Sequence, residues 1–310
     1  MSTRWKPGRS GNATHPQTRL ARSDSMPATI LSRILAAALL LAALAACSAT
    51  SILNVLSPTG DLDIRRDVAY GSLPRQKLDV YRPREGAGPR PVIVFFYGGS
   101  WDSGSRDGYL FVGEALASRG FVAVVPDYRI YPEVVFPGFV EDAATAVAWA
   151  KRHAAEIGGD PGRVFVMGYS AGAHLAAMVA FDKQYLAREG LAPSALSGLI
   201  GLAGPYDFLP LKSERLKTIF APEGTIARTQ PINFVSADAP PTLLATGEND
   251  TTVSPGNSVR LAAKLREKGV PVTELRYPSL THYTIVGALA APLRGDEPLL
   301  DDIERFVRSR

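Results

Sequence analysis

Short apolar runs alternate with longer helical patterns along most of this chain. The apolar runs have the length and near-uniform hydrophobicity of strands that are buried on both faces of a parallel sheet. They lie at residues 91–97, 121–126, 163–168, 197–203, 240–246 and 272–277. Residues 75–82 instead alternate between apolar and polar side chains, which predicts an edge strand.

Helical patterns fill the gaps between these strands. They lie near residues 108–119, 138–157, 171–182, 255–268 and 298–309. Gly120, Gly158 and Gly269 follow three of these patterns, at positions where a left-handed helix cap is favoured. The alternation of strands and helices predicts an α/β fold with a mostly parallel central sheet and helices on both of its faces.

The first 46 residues differ from the rest of the chain. The uncharged apolar run from Ile34 to Ala46 is too short to span a bilayer comfortably and suits the core of a signal peptide. It ends in Leu44-Ala45-Ala46-Cys47, which resembles a bacterial lipobox. We therefore expect Cys47 to become a lipidated N-terminus, with Met26 as an alternative start of the leader. An ordinary secretory signal or an uncleaved membrane anchor is the other interpretation.

The chain is thus divided into a leader (residues 1–46), a tether (residues 47–65) and one domain (residues 66–310) that is large enough for a single core. Six basic residues and one acidic residue lie in the leader, so the remaining 28 basic and 29 acidic residues nearly cancel. This balance gives no reason to expect nucleic-acid binding. The expected location is the bacterial cell envelope, on the periplasmic side or at the outer membrane, and the sequence leaves the oligomeric state open. With a single cysteine, no intramolecular disulfide can form.

A G-x-S-x-G motif runs from Gly168 to Gly172, between an apolar strand pattern and an Ala-rich helix pattern. This context predicts a sharp strand-to-helix turn that exposes the hydroxyl of Ser170. Side chains at Gly168 and Gly172 would collide with the neighbouring strand and helix in so tight a bend. Ser170 is therefore the candidate nucleophile, and it needs a neighbouring base to take its proton.

The chain has four histidines that could supply this base. His15 lies in the leader, and His153 ends a helical pattern in a basic run. His174 lies one turn into the helix after Ser170, where packing or a local hydrogen bond is favoured. His282 follows the strand at 272–277 and completes the chain order Ser, acid, His.

Asp250 is the first candidate for the acid that orients the imidazole of His282. It follows the strand at 240–246, at the sheet edge where catalytic side chains collect in open parallel sheets. Glu248, which is nearer the strand, is the second candidate. Asp207 is the third, and a role as a turn residue or helix cap is favoured for it.

The strand at 91–97 leads into Gly98-Gly99-Ser100-Trp101. Two adjacent glycines let the backbone approach a substrate closely and turn its N–H groups inward. Negative charge that develops on a substrate oxygen needs such preorganised donors. The candidate oxyanion hole consists of the amides of Gly99 and Ser100, joined by the amide of Ala171 at the start of the next helix.

These motifs resemble the α/β-hydrolase superfamily, in particular the esterase group with an H-G-G-x-W oxyanion loop. That group includes hormone-sensitive-lipase-like carboxylesterases, bacterial feruloyl/acetyl esterase-like enzymes and kynurenine formamidases. The matching residues are 98–101, 127–129, 132–133, 160–161, 168–174, 250 and 282, and the resemblance spans about residues 70 to 309. Tyr97 stands where the family usually has a histidine that supports the oxyanion loop, and we expect activity to survive this difference.

The resemblance implies an α/β-hydrolase fold with a small lid formed by residues 204–239. It implies a serine carboxylesterase that cleaves small or short-acyl esters through an acyl-enzyme intermediate. No cofactor and no metal are expected, because the triad of Ser170, Asp250 and His282 and the loop amides supply the chemistry. Aromatic residues that could line the pocket are Trp101, Tyr206 and Tyr283. The alternatives are an arylformamidase or small peptidase on the same scaffold, and a hydrolase-fold lipoprotein that binds without catalysis.

Overall fold

The structure, a computed structural model, describes residues 1–4, 49–86, 88–220 and 226–310. All of its helices and strands belong to the unit from Ser48 to Arg310. The predictions for the signal-peptide core, for Cys47 and for His15 lie outside the described residues. Within the described ranges, no helix combines the length and the hydropathy that crossing a bilayer requires.

In the described part of the chain, eight strands form one sheet in the order β1-β2-β4-β3-β5-β6-β7-β8. The strands are β1 (Leu62–Ala69), β2 (Lys77–Pro83), β3 (Arg90–Phe96), β4 (Val122–Pro126), β5 (Gly159–Tyr169), β6 (Gly198–Leu202), β7 (Thr242–Gly247) and β8 (Val272–Tyr277). Strand β2 is antiparallel to both of its neighbours, and all other pairs are parallel. Every residue of β4, β6 and β7 is buried, so both faces of the sheet are covered, because successive side chains point to opposite faces.

The helices of the described residues lie before, between and after the strands. They are α1 (Ala49–Val55), α2 (Leu110–Ser118), α3 (Gly138–Arg152), α4 (Ala171–Phe181), α5 (Lys183–Arg188), α6 (Glu214–Phe220), α7 (Gly256–Glu267), α8 (His282–Gly287) and α9 (Leu299–Arg308). The crossovers from β5 through α4 and from β7 through α7 bring the carboxyl ends of their strands to one edge of the sheet. That edge carries the candidate site.

The structure differs from the sequence analysis at the start of the domain. The segment predicted as a tether holds α1 and the first residues of β1. Strand β2, which was predicted to be the edge strand, is the second strand of the sheet, and β1 lies at the edge beside it. The pattern of β1 is obscured because Arg65, Arg66 and Asp67 interrupt its apolar positions and a register shift falls between Arg65 and Val68.

Candidate active site

Ser170 occupies the single position between the end of β5 and the start of α4. Its φ of 55° is uncommon for a non-glycine residue and marks the strained strand-to-helix turn that the motif predicts. The bend is closely packed. A Cβ atom on Gly172 would lie 2.0 Å from the carbonyl oxygen of Phe96, and one on Gly168 would lie 2.2 Å from the carbonyl oxygen of Gly172. Only glycine fits at these two positions.

His282 is the first residue of α8. Thr281 caps this short helix: its hydroxyl accepts a hydrogen bond from the amide of Thr284, and the hydroxyl of Thr284 accepts one from the amide of Thr281. The cap fixes the direction in which the His282 side chain leaves the backbone. His282 Nε2 lies 2.9 Å from Ser170 Oγ, so a proton can pass between the two groups.

The other ring nitrogen, His282 Nδ1, lies 2.8 Å from Asp250 Oδ2. An ionised carboxylate can only accept hydrogen bonds, so Nδ1 carries the proton and Nε2 is free to accept from Ser170. Asp250 Oδ1 in turn accepts hydrogen bonds from the amides of Thr252 (2.9 Å) and Val253 (2.8 Å). The carboxylate is buried, and its own loop holds it in place.

Among the described residues, the two competing carboxylates and His153 make their contacts away from His282. Glu248 is exposed, and the Asp207 side chain accepts a hydrogen bond from Arg260. His153 stacks on Trp149 and places Nδ1 2.9 Å from the carbonyl oxygen of that residue. The structure therefore brings Asp250 to His282, and not the two competing carboxylates.

The predicted oxyanion loop has an unusual backbone. Gly99, Ser100 and Trp101 have φ values of 142°, 51° and 62°. The carbonyl oxygen of Gly99 accepts hydrogen bonds from the amides of Asp102 and Ser103, both at 3.0 Å. The C=O of Gly99 and the N–H of Ser100 share one trans peptide plane and point in opposite directions, so the Ser100 amide points away from the interior of the loop.

The direction of the third candidate donor, the Ala171 amide, also follows from the planar trans peptide. The carbonyl oxygen of Ser170 accepts from the amides of Ala173 (2.9 Å) and His174 (3.2 Å), inside the helix. The Ala171 amide shares its peptide plane with that carbonyl, so it points out of the helix start, where no intrahelical acceptor exists. The loop lies directly beside the nucleophile, since a Cβ atom on Gly98 would be 3.0 Å from Ser170 Cβ.

Tyr97, at the position where the resemblance leads us to expect a histidine, is fully buried below the loop. Its hydroxyl donates to Asp127 Oδ1 (2.9 Å) and accepts from Arg75 (2.9 Å). Its ring stacks against Tyr109 and Tyr128, with centroids 5.5 and 4.7 Å away. Burial, and then the negative charge of Asp127, raise the pKa of Tyr97 far above its usual range, so this phenol stays neutral.

A large cavity of about 1420 Å³ opens above these residues, and Ser170, Asp250 and His282 all line it. Trp101 and Tyr283 also line it, and Tyr283 is 72% exposed. The prediction that Tyr206 lines the pocket is wrong. Its side chain is fully buried, turned back towards the sheet, where its hydroxyl would lie 2.0 Å from a Cβ atom on Gly201.

Sequence reasoning missed how Trp101 connects the oxyanion loop to the lid segment. Trp101 Nε1 donates to His174 Nδ1 (3.3 Å), and His174 Nε2 donates to the carbonyl oxygen of Thr229 (2.8 Å). Phe208 and Phe220 of the lid segment pack against the indole. Complete burial lowers the pKa of His174 to about 4, so the imidazole is neutral. No local pattern reveals this pair, because 73 positions separate its two members.

Comparison with known proteins places this geometry in a family. Residues 78–265 match the model of the BD-FAE family, a range that includes Ser170 and Asp250. The chain belongs to the BD-FAE family. The BD-FAE chain also shares its fold with the apo form of Thermogutta terrifontis esterase 2, with 26% identity and a TM-score of 0.67 over 81% of this chain and 96% of that one. The predicted α/β-hydrolase fold and superfamily are thereby confirmed.

The BD-FAE chain is also similar in sequence to curated esterases. Probable isoprenylcysteine alpha-carbonyl methylesterase ICMEL1 of Arabidopsis thaliana is 29% identical over 269 residues, which cover 79% of this chain and 56% of the relative. Esterase LipC of Mycobacterium tuberculosis is 34% identical over 223 residues, which cover 65% of this chain and 55% of the relative. The chain thus spans little more than half the length of these relatives.

Proposed function

We propose that this protein is a serine carboxylesterase that hydrolyses small or short-acyl esters through an acyl-enzyme intermediate. One observation carries the proposal: His282 lies between Ser170 Oγ (2.9 Å) and Asp250 Oδ2 (2.8 Å) at the wall of a single cavity. This is the arrangement in which a serine hydroxyl becomes a nucleophile at neutral pH.

In the first half of the reaction, Ser170 Oγ attacks the ester carbonyl carbon while His282 Nε2 takes the hydroxyl proton. Asp250 stabilises the imidazolium that forms, through its hydrogen bond to Nδ1. The carbonyl oxygen becomes an oxyanion, and the amides of Gly99, Ser100 and Ala171 are the proposed donors to it. When the tetrahedral intermediate collapses, the C–O bond breaks, His282 returns the proton to the leaving alcohol, and the acyl group stays on Ser170.

In the second half, a water molecule replaces the alcohol. His282 takes a proton from this water molecule as the water oxygen attacks the acyl carbon. The same amides donate hydrogen bonds to the oxyanion of this second intermediate. Collapse of this intermediate returns the proton to Ser170 Oγ and releases the carboxylic acid. The cycle regenerates the free enzyme and needs no group beyond these side chains and amides.

The preference for short acyl groups rests on the lid segment and on similar proteins. Phe208, Leu209 and Leu216 of that segment line the cavity beside Trp101. Thermogutta terrifontis esterase 2, at 25% identity and a TM-score of 0.65, was also solved with butyrate bound. The apolar lining suits an acyl group, and the butyrate complex of the similar esterase favours one of a few carbons at Ser170.

The test compares Ser170→Ala with Ser105→Ala, a change at another serine that lines the cavity. Ser170→Ala is expected to lower kcat on p-nitrophenyl acetate by about 10⁴-fold or more and to abolish labelling by a fluorophosphonate. Ser105→Ala should keep both. A Ser170→Ala protein that folds and still turns over at the wild-type rate would refute the proposal. Faster cleavage of formyl-anilides or dipeptide amides than of acetyl esters would instead identify an amidase.

We further propose that the protein is a cell-envelope lipoprotein, with Cys47 as the lipidated residue. The lipobox-like Leu44-Ala45-Ala46-Cys47 and the uncharged run before it support this proposal. Mass spectrometry of the mature protein should find a diacylglyceryl group on Cys47, and Cys47→Ser should prevent its addition. A mature N-terminus at any other residue would contradict the proposal.

A further inference from the structure

Helix α1 carries an apolar stripe that faces solvent. Ile52, Val55 and Leu56 are spaced i, i+3 and i+4, and the amide of Leu56 continues the helix by donating to the carbonyl oxygen of Ile52 (3.2 Å). Their side chains therefore share one face. They are 41%, 84% and 55% exposed. A contiguous exposed apolar surface of this kind indicates a binding surface rather than a packing remnant.

The opposite face of α1 is fixed to the domain. The Asn54 side chain donates to the carbonyl oxygen of Asp107 (2.6 Å) and accepts from the amide of Phe111 (3.0 Å). Leu53 packs against the hydrophobic core. These contacts set the rotation of the helix about its axis, so the stripe cannot turn inward without breaking them.

The same helix forms part of the wall of the candidate active site. Thr50, Ser51 and Leu53 line the cavity that contains Ser170. Two exposed apolar side chains line this cavity from other segments, Leu209 (38% exposed) and Tyr283 (72% exposed). Exposed apolar groups thus line the cavity on two segments, and α1, which carries the stripe, lines it through Thr50, Ser51 and Leu53.

The sequence around α1 indicates what covers the stripe. No charged residue occurs from Ile34 to Gly60, a range that contains Cys47 and the whole of α1. Docking at a bilayer interface is driven by the apolar area that it buries, and cationic side chains only add attraction to anionic lipids. Because this segment carries no charge, its apolar side chains alone would bind it to the bilayer. Cys47 precedes the helix by only two residues, so a lipid on it would hold α1 beside the membrane.

We infer that the apolar stripe of α1 docks on a lipid bilayer and that the active site takes its esters from that bilayer. The inference rests on the proposed esterase activity and adds a substrate class, esters that partition into membranes. A second copy of this chain is a weaker occupant, because a stable interface buries about 800 Å² per partner, far more than three side chains of a short helix provide.

The activity test uses full-length protein and one acyl group in two settings: p-nitrophenyl acetate in water and octadecyl acetate in phosphatidylcholine vesicles. The triple variant Ile52→Gln, Val55→Gln, Leu56→Gln should release acetate from the vesicles at least about fivefold more slowly than wild type, and cleave the soluble ester within about twofold of wild type. Leu73→Gln, at an exposed leucine that is not part of the cavity wall, should change neither rate. Equal vesicle rates for the triple variant and wild type would overturn the inference.

A second measurement reads docking without turnover. Val55→Trp in the Ser170→Ala protein should gain fluorescence that brominated phosphatidylcholine quenches, and Leu73→Trp in the same protein should show no added quenching. Absence of quenching at position 55 overturns the inference. So does a concentration-dependent dimer that the triple variant loses, which would make the stripe a self-association surface. Quenching at position 55 in a protein whose wild type cleaves neither acetate would support docking while refuting the proposed esterase.

Discussion

The Tyr97 hydroxyl donates a hydrogen bond of 2.9 Å to Asp127 Oδ1. Tyr97 immediately precedes Gly98 and Gly99, so this bond anchors the backbone from which the oxyanion loop departs. The amide of Arg106 donates to the same carboxylate oxygen (2.7 Å), which ties the far side of the loop to the same point. Burial keeps the phenol of Tyr97 neutral, so this hydrogen bond does not change with pH near neutrality.

Replacing Tyr97 by Phe keeps the ring stacked and removes the hydrogen bonds to Asp127 and from Arg75. We expect kcat on p-nitrophenyl acetate to fall about tenfold with KM nearly unchanged, because displaced loop amides act on the transition state more than on bound ester. The free energy of unfolding should fall by about 1–2 kcal/mol. Tyr70→Phe is the matched control: it removes another buried hydroxyl, which donates to the carbonyl oxygen of Asp127 (2.6 Å). If both variants lose the same kcat, Tyr97 has no particular effect on the loop.

Asp250→Asn should lower kcat by about 10⁴-fold while leaving the fold intact. The amide group of Asn can favour the wrong tautomer of His282, in which Nε2 carries the proton and cannot accept one from Ser170. Glu248→Gln, at the exposed carboxylate two residues earlier, should stay within about twofold of wild type. Steady-state kinetics on an acetyl ester decides which of the two carboxylates is the acid of the triad. A larger decrease in kcat for Glu248→Gln than for Asp250→Asn would assign that role to Glu248.

His174 should make stability depend on pH below neutrality. Its pKa is lowered from 6.5 to about 4 by burial, so the unfolded chain binds the proton more readily than the folded protein. The stability contributed by keeping this imidazole neutral is fully present above pH 6.5. It is lost as the pH falls towards 4, which lowers the free energy of unfolding by up to about 3 kcal/mol. Urea unfolding at pH 7.5 and 4.5 should show a smaller decrease for His174→Gln than for wild type. Equal decreases would mean that other groups dominate the acid sensitivity.

The closely packed turn around Ser170 should reject any side chain on the second glycine. Gly172→Ala would place a methyl group 2.0 Å from the carbonyl oxygen of Phe96, so the unfolding free energy should fall by about 3 kcal/mol or more. Gly60→Ala offers a matched change, since nothing lies within 4 Å of its added Cβ atom. Thermal unfolding should separate the two variants clearly, and similar melting temperatures would show that the bend can relax.

Much of the central fold could be predicted from the sequence because buried parallel strands are continuous apolar runs. Strands β2 to β8 lie close to their predicted positions. Strand β1 was missed since its charged residues and its register shift remove the alternation that identifies a strand. Helix α8 is not among the predicted helices, because six residues give no helical periodicity and only the Thr281 cap indicates its start.

Within the site, the residues that local context constrains were the predictable ones. Ser170 and Asp250 each follow a buried strand, and His282 was selected largely by excluding the other histidines. The direction of an aromatic side chain has no such local determinant, which is why Tyr206 was placed in the pocket although it packs against the sheet. The bond between Trp101 and His174 depends on tertiary packing alone.

The two edge strands of the sheet, β1 and β8, are poorly suited to pairing with a strand of another molecule. On β1, the register shift next to Asp67, which has a positive φ, makes the backbone of the edge strand irregular, and Arg65 and Arg66 are exposed there. On β8, Glu274 is bracketed by Arg266 (3.0 Å) and Arg276 (2.9 Å). Irregular, charged borders hinder the edge-to-edge stacking that begins cross-β aggregation. The protein should therefore resist strand pairing between molecules even at high local concentration.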